Sequence, residues 1–408
     1  MLLSRFKNLF QIKHFSVFII CMLLIGTSVS ITMPYLSLYG TGVIGMSTGA
    51  FGVFMAISSL TGVIANTMIA NYSDTGMDRK WLILAAMLSS ACGYTSYIVF
   101  DSFLGLLLSV SFFNGLGAAA MPQMFAYADE SATESHSDDK TFAKSTLRSL
   151  FSLGFLIGPL IGTMLLAAFS YNGLFLGTTT IFILLSALVY FFLPKRKMAH
   201  KTKPKVQKPT LISEETKRLI FPFFAFILLF SVIAVNSMNT PLLIIHELSG
   251  THTDVGLVVG LSAGLEIPIM LAFGALSQKL SNHSLVMMSC LVGILYFTVL
   301  AISTAPWQLI VAQILQATFV AVVLGNGLSY FSDSLPDSAG VAATLYANAS
   351  TLGRLIGNLM GGFGAELAGF RYLNWLCVIA ILISFSVLLI KRPKVMGRME
   401  ERRKVEMA

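Results

Sequence analysis

Charged residues are scarce in this sequence. Lys, Arg, Asp and Glu together make up 11% of the 408 residues, compared with about 25% in soluble domains. Hydrophobic residues make up 55%, and the mean hydropathy is +0.79. A water-soluble chain could not bury that much apolar surface, because much of any folded chain remains exposed. The composition excludes a soluble enzyme, a disordered chain and a secreted disulfide scaffold, and predicts a protein that crosses a membrane several times.

Motifs for cofactor and metal chemistry are also lacking. The sequence has no Walker A motif and no HExxH, so neither ATP hydrolysis nor zinc proteolysis is indicated. The six histidines have no metal-ligand spacing. The four cysteines lie singly in apolar runs and are predicted to be buried apolar side chains: Cys21, Cys92, Cys290 and Cys377. We predict no metal, no cofactor and no enzymatic activity.

Twelve apolar runs dominate what the sequence does contain. Each is long enough to cross the hydrocarbon layer as a helix, and none alternates as the strands of a membrane barrel do. The predicted spans are 15–39, 48–70, 80–100, 103–128, 142–169, 171–193, 219–245, 254–276, 284–303, 306–331, 341–364 and 371–391. We therefore predict an all-α membrane protein with twelve transmembrane helices.

The net charge of +8 is distributed as a topology signal. If the N-terminus is cytoplasmic, 24 of the 27 Lys and Arg residues fall on the cytoplasmic side, and Arg371 is the one outside. This bias follows the positive-inside rule and predicts that both termini are cytoplasmic. The first apolar run is too long for a signal peptide and is predicted to be retained. Such clusters beside apolar runs do not indicate nucleic-acid binding.

The basic segment 195–217 separates two predicted six-helix bundles, 1–194 and 218–392, and a basic tail follows at 393–408. The segment contains proline and few apolar residues, which is typical of a solvated linker. A patch that binds lipid or a protein partner is the other interpretation.

The two halves carry the same pattern of small residues. Glycines recur every fourth residue in the fifth and eleventh spans, and corresponding positions differ by 199. They are Gly154, Gly158, Gly162, Gly353, Gly357 and Gly361. This spacing lets another helix approach closely, and Pro159 can bend the fifth helix as a hinge. Matching patterns in six plus six helices indicate a parallel duplication, and transporters built in this way bind substrate between the halves.

Glu266 is the acidic residue nearest to the middle of a predicted span. An ionised carboxylate there costs several kcal/mol, so Glu266 is expected to be neutral or paired. A group that changes between neutral and charged states is what coupling to protons requires. Arg354 lies at a similar depth and Arg148 lies nearer the cytoplasm. We expect Glu266 to pair with Arg354, with Arg148 as the alternative, although Arg148 could instead extend to the membrane surface.

Uncharged polar side chains within the spans are candidates for substrate binding. Amides both donate and accept hydrogen bonds, which suits hydroxyl-rich neutral ligands, and tyrosines can stack on a sugar ring. The candidates are Tyr35, Asn114, Gln123, Asn236, Asn239, Gln316, Asn326 and Tyr346. Each of these side chains could instead form hydrogen bonds between helices.

Residues 70–80 resemble the loop signature of the major facilitator superfamily, with Ala70 in place of its first glycine. In this interpretation Asp74, with Arg79 and Lys80, latches one conformation through charge and helix-dipole contacts. The stretch 154–162 resembles the fifth-helix motif of exporters in this superfamily. The resemblance implies the major facilitator fold.

Three further stretches, 120–126, 148–159 and 263–270, resemble the bacterial sugar efflux transporter family within that superfamily. This resemblance implies proton-driven export of glucosides, lactose-like sugars or analogues, with functional roles for Glu266, Arg148 and Gln123. The expected protein is a monomeric proton/solute antiporter of the bacterial cytoplasmic membrane. Its partners are protons, a small molecule and lipid. A multidrug/proton antiporter for lipophilic or cationic compounds is the alternative, and a membrane enzyme or receptor is a remote one.

Overall fold

The computed structural model describes residues 9–73, 78–135, 140–195, 219–277, 279–335 and 338–390. The regular elements in these ranges are helices, which confirms the predicted all-α class. Asp74 and the tail 393–408 lie outside the described residues, as does the linker apart from Lys195.

Six helices form the first half of the chain. Helix α1 (Phe15–Gly42) contains a 3-10 turn at Met33–Tyr35, where Pro34 lacks the N–H that a continuous α-helix needs. Ser170, with φ 57° and ψ −164°, separates α5 from α6 without a loop. The other bounds are α2 Thr48–Ser73, α3 Arg79–Val99, α4 Phe103–Glu134, α5 140–169 and α6 171–192.

Six more helices form the second half. They are α7 Ile220–His246, α8 His252–Leu276, α9 Asn282–Ile302, α10 Pro306–Ser334, α11 Ala339–Ala368 and α12 Phe370–Ile390. The start of α8 is fixed by a capping box in which Thr251 and Asp254 satisfy each other's backbone N–H groups. Ser281 caps α9 in the same way as Ser102 caps α4, each through a hydroxyl that accepts a backbone N–H.

Ten helices in the described ranges are long and apolar enough to cross a membrane. One of them is 142–192, which the break at Ser170 divides into two predicted spans. Ala339–Ala368 is not among the ten although it has 30 residues, because Arg354 and several amide and small side chains lower its apolarity. Allowing for these two differences, the described helices correspond to the twelve predicted spans.

Three of the four cysteines are buried, as predicted: Cys21, Cys290 and Cys377. The prediction is wrong for Cys92, which is exposed on α3. A thiol is apolar enough to face lipid from a membrane helix, so an apolar run alone does not distinguish a buried cysteine from a lipid-facing one.

The described residues form two compact units. The first contains the described residues up to Lys195 except 46–56, and the second contains 46–56 and the described residues from 219 onward. The boundary therefore differs from a simple division at the linker, because the start of α2 associates with the second half.

A carboxylate attaches the start of α2 to α11. Glu366 Oε2 accepts a hydrogen bond from the Gly49 backbone N–H (2.8 Å) and one from Ser47 Oγ (3.0 Å). Farther along the two helices Gly52 lies against Gly362, and a Cβ on Gly52 would come within 2.8 Å of the Gly362 Cα. An acidic side chain at a helix N-terminus is favoured by the unpaired N–H groups and the helix dipole there.

The predicted glycine pattern lies at equivalent helix pairs in the two units. The glycines of α5 lie against α1, and those of α11 lie against α7. A Cβ on Gly158 would be 2.7 Å from the Thr27 carbonyl oxygen, and one on Gly357 would be 2.8 Å from the Ala234 Cβ. Both distances are shorter than van der Waals contact, so these helix axes approach each other as closely as they do because no side chain intervenes.

Candidate functional site

Glu266 lies in the middle of α8, 14 residues after His252 and 10 before Leu276. Its side chain is partly exposed. Ser262, one helical turn earlier and buried, is hydrogen-bonded to Glu266 Oε1 at 3.2 Å. The helical repeat places the side chains of residues i and i+4 on one face, which is why these two groups meet.

Gln316 brings a second helix to the same place. It lies on α10, ten residues after Pro306, and its Oε1 contacts the Ser262 hydroxyl oxygen at hydrogen-bonding range. Ser262 likewise lies ten residues after His252, and α8 and α10 pack against each other. We call Ser262, Glu266 and Gln316 the Glu266 cluster. A hydroxyl, a carboxyl group and an amide in contact can exchange donor and acceptor roles when one proton is added or removed.

The stretch 260–264 within this region matches the GxSxG pattern of serine hydrolases, which the sequence analysis missed. It lies inside the continuous helix α8. The nucleophile of a hydrolase stands on a sharp turn between a strand and a helix. Ser262 therefore lacks the backbone geometry of such a nucleophile, and its hydroxyl contacts Glu266 and Gln316 rather than a histidine among the described residues.

Arg354 lies in α11 at a depth equivalent to that of Glu266, 14 residues before Ala368. Near the end of α11 used for this count, Arg371 forms an ion pair with Glu247 (3.1 Å), which follows α7, and donates to the Ser303 carbonyl oxygen (2.5 Å), which follows α9. Measured from these ends, both side chains are about 21 Å along their helices at 1.5 Å per residue.

The expected pair between Glu266 and Arg354 is not formed in this structure. Arg354 is exposed and forms no salt bridge with a carboxylate among the described residues. An exposed guanidinium near the middle of a span can be solvated in a polar cleft or bind a polar ligand, so it does not require Glu266 as its partner. Arg148 is exposed on α5 in the first unit, and its role remains a prediction.

Two predicted substrate-binding residues of the second unit keep part of their side chains exposed. Asn236 Oδ1 accepts hydrogen bonds from Thr240 Oγ1 (2.8 Å) and the Tyr296 hydroxyl (3.0 Å). The Tyr346 hydroxyl donates to the Leu324 carbonyl oxygen (3.0 Å), and its ring packs edge-on against Phe230. These contacts fix the orientation of both side chains and leave them available at the surface of the unit.

Two other candidates in this unit are buried in helix–helix hydrogen bonds. Asn239 Nδ2 donates to the Phe370 carbonyl oxygen (2.9 Å), and Asn326 Nδ2 donates to Asn282 Oδ1 (2.9 Å). Both side chains are less than 5% exposed. The structure therefore favours the packing interpretation for Asn239 and Asn326.

The candidates of the first unit divide in the same way. Tyr35 is fully buried, and its hydroxyl is hydrogen-bonded to Thr163 Oγ1 (2.6 Å) on α5. Gln123 is buried and accepts from Arg79 Nη1 (2.8 Å). Asn114 is partly exposed, packs on Gly93 and holds a buried Oδ1 with no hydrogen-bond donor among the described residues. Of the three, Asn114 is the one whose side chain is partly exposed, although its Oδ1 is buried.

The residues proposed as a latch have defined partners where the structure describes them. Arg79 Nε forms an ion pair with Glu130 (2.8 Å), and its Nη1 donates to Gln123. Lys80 Nζ donates to the Tyr190 carbonyl oxygen (2.7 Å). These bonds join the start of α3 to α4 and α6, and the latching role with Asp74 remains a prediction.

A second polar triad repeats this arrangement in the other unit, 203 residues later. Asn282 Nδ2 donates to Asp333 Oδ2 (2.8 Å), and Asn282 Oδ1 accepts from Asn326. Asn282, Asn326 and Asp333 thus occupy the positions of Arg79, Gln123 and Glu130. The sequence analysis did not identify this correspondence. The neighbouring Asp129 is not part of the first triad and instead pairs with Lys144 (2.9 Å).

Comparison with known proteins agrees with this architecture. Residues 18–306 and 223–405 match the sequence profile of the Major Facilitator Superfamily. Sugar efflux transporter A of Dickeya chrysanthemi is 30% identical over 373 residues, covering 91% of this chain and 94% of the relative. Sugar efflux transporter B of Salmonella typhimurium is also 30% identical, with 91% and 94% covered.

The fold is shared with a nucleoside transporter of known structure. The crystal structure of NupG superposes with a TM-score of 0.80 at 12% identity, covering 93% of this chain and 99% of that one. The curated relatives are named transporters, which bears out the expectation that the chain is not an enzyme. The chain belongs to the major facilitator superfamily, with the sugar efflux transporters as relatives, and is a multi-pass membrane protein that works as a secondary transporter.

Proposed function

We propose that this protein exports a sugar or a sugar-like neutral solute across the bacterial cytoplasmic membrane in exchange for protons. The observation that carries the proposal is the Glu266 carboxyl group at mid-span, which is partly exposed and hydrogen-bonded to the Ser262 hydroxyl, which in turn contacts the Gln316 amide. A carboxyl group at this depth is costly when charged, so it marks an ion or proton pathway in membrane transporters. The relatives named as sugar efflux transporters support the solute class.

In the proposed cycle, Glu266 takes up a proton when the site opens to the outside and releases it when the site opens to the cytoplasm. The solute binds when Glu266 is ionised and leaves when Glu266 becomes neutral, so that each state of the protein favours one of the two ligands. Asn236, Gln316 and Tyr346 supply hydrogen bonds to solute hydroxyl groups in the second unit. Arg354 adds a guanidinium at the same depth of this unit.

The test replaces Glu266 with Gln, which keeps the size and removes the titration. In proteoliposomes with an imposed pH gradient, the parent should move radiolabelled lactose against its concentration gradient, whereas Glu266→Gln should only equilibrate it. Asp101→Asn is the matched control, because Asp101 is exposed between α3 and α4. Gradient-driven accumulation by Glu266→Gln at the parental rate would refute the role of Glu266 in proton coupling.

Export of cationic lipophilic compounds is the second candidate. The lack of a salt bridge to Glu266 among the described residues favours it, since an unpaired carboxylate can bind a cation directly. Ethidium efflux that lactose does not inhibit, and that Glu266→Gln abolishes, would support this substrate class. Lactose transport by the same preparation would argue for the sugar class.

A further inference from the structure

We propose that Ser262 and Gln316 convert the protonation state of Glu266 into a change of hydrogen-bonding character at Gln316, where the solute binds. The inference rests on the proposed function, because it takes Glu266 as the group that carries the proton. It assigns Ser262 as a positioning residue and Gln316 as the residue whose contact with the solute depends on the proton.

The argument begins with the number of hydrogens in the Glu266 cluster. The Ser262 hydroxyl lies within hydrogen-bonding range of two oxygen atoms, Glu266 Oε1 and Gln316 Oε1. A hydroxyl group has one hydrogen and can donate to one of them. The other contact needs a hydrogen from the partner, because two oxygens without a hydrogen between them repel each other.

When Glu266 is neutral, both contacts of Ser262 can be hydrogen bonds with the Gln316 amide in the observed orientation, in which Oε1 faces Ser262. The carboxylic acid donates its hydrogen to Ser262 Oγ, and Ser262 donates its own to Gln316 Oε1. The Gln316 Nε2 group then points away from the cluster, and it makes no hydrogen bond with the described residues. In this state Gln316 presents a donor to a solute.

An ionised Glu266 requires the opposite arrangement. The carboxylate accepts from Ser262, so Ser262 can no longer donate to Gln316. The contact between Ser262 and Gln316 is restored when the amide rotates by about 180° and Nε2 donates to Ser262 Oγ, since the two ends of an amide have nearly the same shape. In this state Gln316 presents its carbonyl oxygen to a solute.

The other titratable side chains of α8, and those of the helices of the second unit that pack on it, lie away from the Glu266 cluster. The helices of the second unit that pack on α8 are α10 and α7. In their described residues, the titratable side chains are Tyr330 and Asp333 near the end of α10 and His246 at the end of α7. On α8 they are His252 and Asp254 in its first turn. None of them lies at the level of Glu266. Arg354 of α11 lies at that depth, but it forms no salt bridge with Glu266, so the proton on Glu266 sets the direction of the hydrogen bonds.

Because of this change, the solute binds to the two protonation states with different affinities. Gln316 is 9% exposed, and its Nε2 is not among the fully buried side-chain atoms that lack a partner, so this end of the amide keeps some accessible surface while Oε1 contacts Ser262. A solute hydroxyl that donates at this position binds the ionised state better, and a group that can only accept binds the neutral state better. Such differential affinity is the requirement for exchanging a proton against a solute.

Lactose binding by the purified protein between pH 5 and pH 9 tests the proposal. For the parent, the Kd for lactose should rise as the pH falls, by up to about tenfold per pH unit when one proton competes. Ser262→Ala should reduce the change to less than twofold over the whole range, and Ser262→Thr, which keeps a hydroxyl, should restore it. Ser289→Ala is the control, because the Ser289 hydroxyl bonds to the Val286 carbonyl oxygen of its own helix.

A second measurement needs no solute. Infrared difference spectra between acid and alkaline pH should show the carboxylic acid C=O band of Glu266, identified by its loss in Glu266→Gln. In Ser262→Ala this band should shift, because its hydrogen-bond acceptor is gone. A purely structural role for Ser262 would leave the band in place.

The outcomes separate the two proposals. If Glu266→Gln still couples lactose export to the pH gradient, the proposed function fails. If Glu266→Gln uncouples export but Ser262→Ala keeps the parental pH dependence and an unshifted band, the transporter proposal stands and the role of Ser262 and Gln316 is wrong. If lactose does not bind to the parent, an unshifted infrared band in Ser262→Ala still overturns the proposal, whereas a shifted band supports it.

Discussion

At the scale of single residues, two arginines illustrate opposite uses of a guanidinium in a membrane protein. Arg79 is buried, and both ends of its fork bind neighbours, Glu130 and Gln123. Arg354 is exposed and has no salt bridge among the described residues. A charge that is buried must be paired in the folded state, whereas an exposed one remains available for a ligand.

These environments predict different results for the same substitution. Arg79→Gln leaves Glu130, about one-fifth exposed, without its cation, and should lower the free energy of unfolding by about 2–4 kcal/mol. Arg354→Gln removes no ion pair and should change it by less than about 0.5 kcal/mol, while export is lost. Thermal unfolding in detergent, with transport measured on the same preparations, checks both. Equal losses of stability would contradict the assignment.

At the scale of helices, the glycine repeat shows how much of the helix packing can be predicted from the sequence alone. The offset of 199 between glycines and their spacing predict equivalent close contacts in the two halves, and α5 lies on α1 as α11 lies on α7. The partners could not be predicted, because glycine spacing marks a groove without naming the helix that enters it. The Glu266 cluster was missed for a related reason, since Ser262 and Gln316 are 54 residues apart and meet only through packing.

Adding one methyl group to such a contact should separate the helices. Gly357→Ala would place a Cβ within 2.8 Å of the Ala234 Cβ, and should cost about 1–3 kcal/mol by overpacking. Gly274→Ala is the matched control on α8, because a Cβ there meets nothing within 4 Å. Thermal unfolding should show a lower midpoint for Gly357→Ala only. An unchanged midpoint would mean that α7 and α11 can adjust at no cost.

At the scale of the whole molecule, duplication explains why the two units share a helix arrangement, and divergence explains why their polar side chains differ. The triad at Arg79 carries an ion pair, whereas its counterpart at Asn282 joins amides to Asp333. Between α2 and α4 of the first unit, Ser58 bonds to Ser111 (3.2 Å) without a carboxylate. The sequence predicts this asymmetry for Glu266, because a lone acid within an apolar run is visible without a structure. It does not predict that 46–56 joins the second unit, where Glu366 and Gly362 contact it.

The attachment of α2 through Glu366 can be tested by hydrogen exchange. Glu366→Ala removes the acceptor of the Gly49 N–H, so peptides covering 46–56 should exchange faster than in the parent. Peptides from α9 should be unaffected and serve as the internal control. Unchanged exchange at 46–56 would show that contacts such as Gly52 against Gly362 hold the segment without the carboxylate.

Ser170 is the single residue between α5 and α6, so no flexible loop links these two helices. A linking loop of several residues would let one helix slide along its neighbour while the other stayed in place. Ser170 is a single residue with a positive φ. If α5 moves along its axis by one helical turn (about 5.4 Å), the start of α6 must therefore move with it or unwind. The two helices are therefore expected to move together, and an epitope tag inserted at their junction would disturb both.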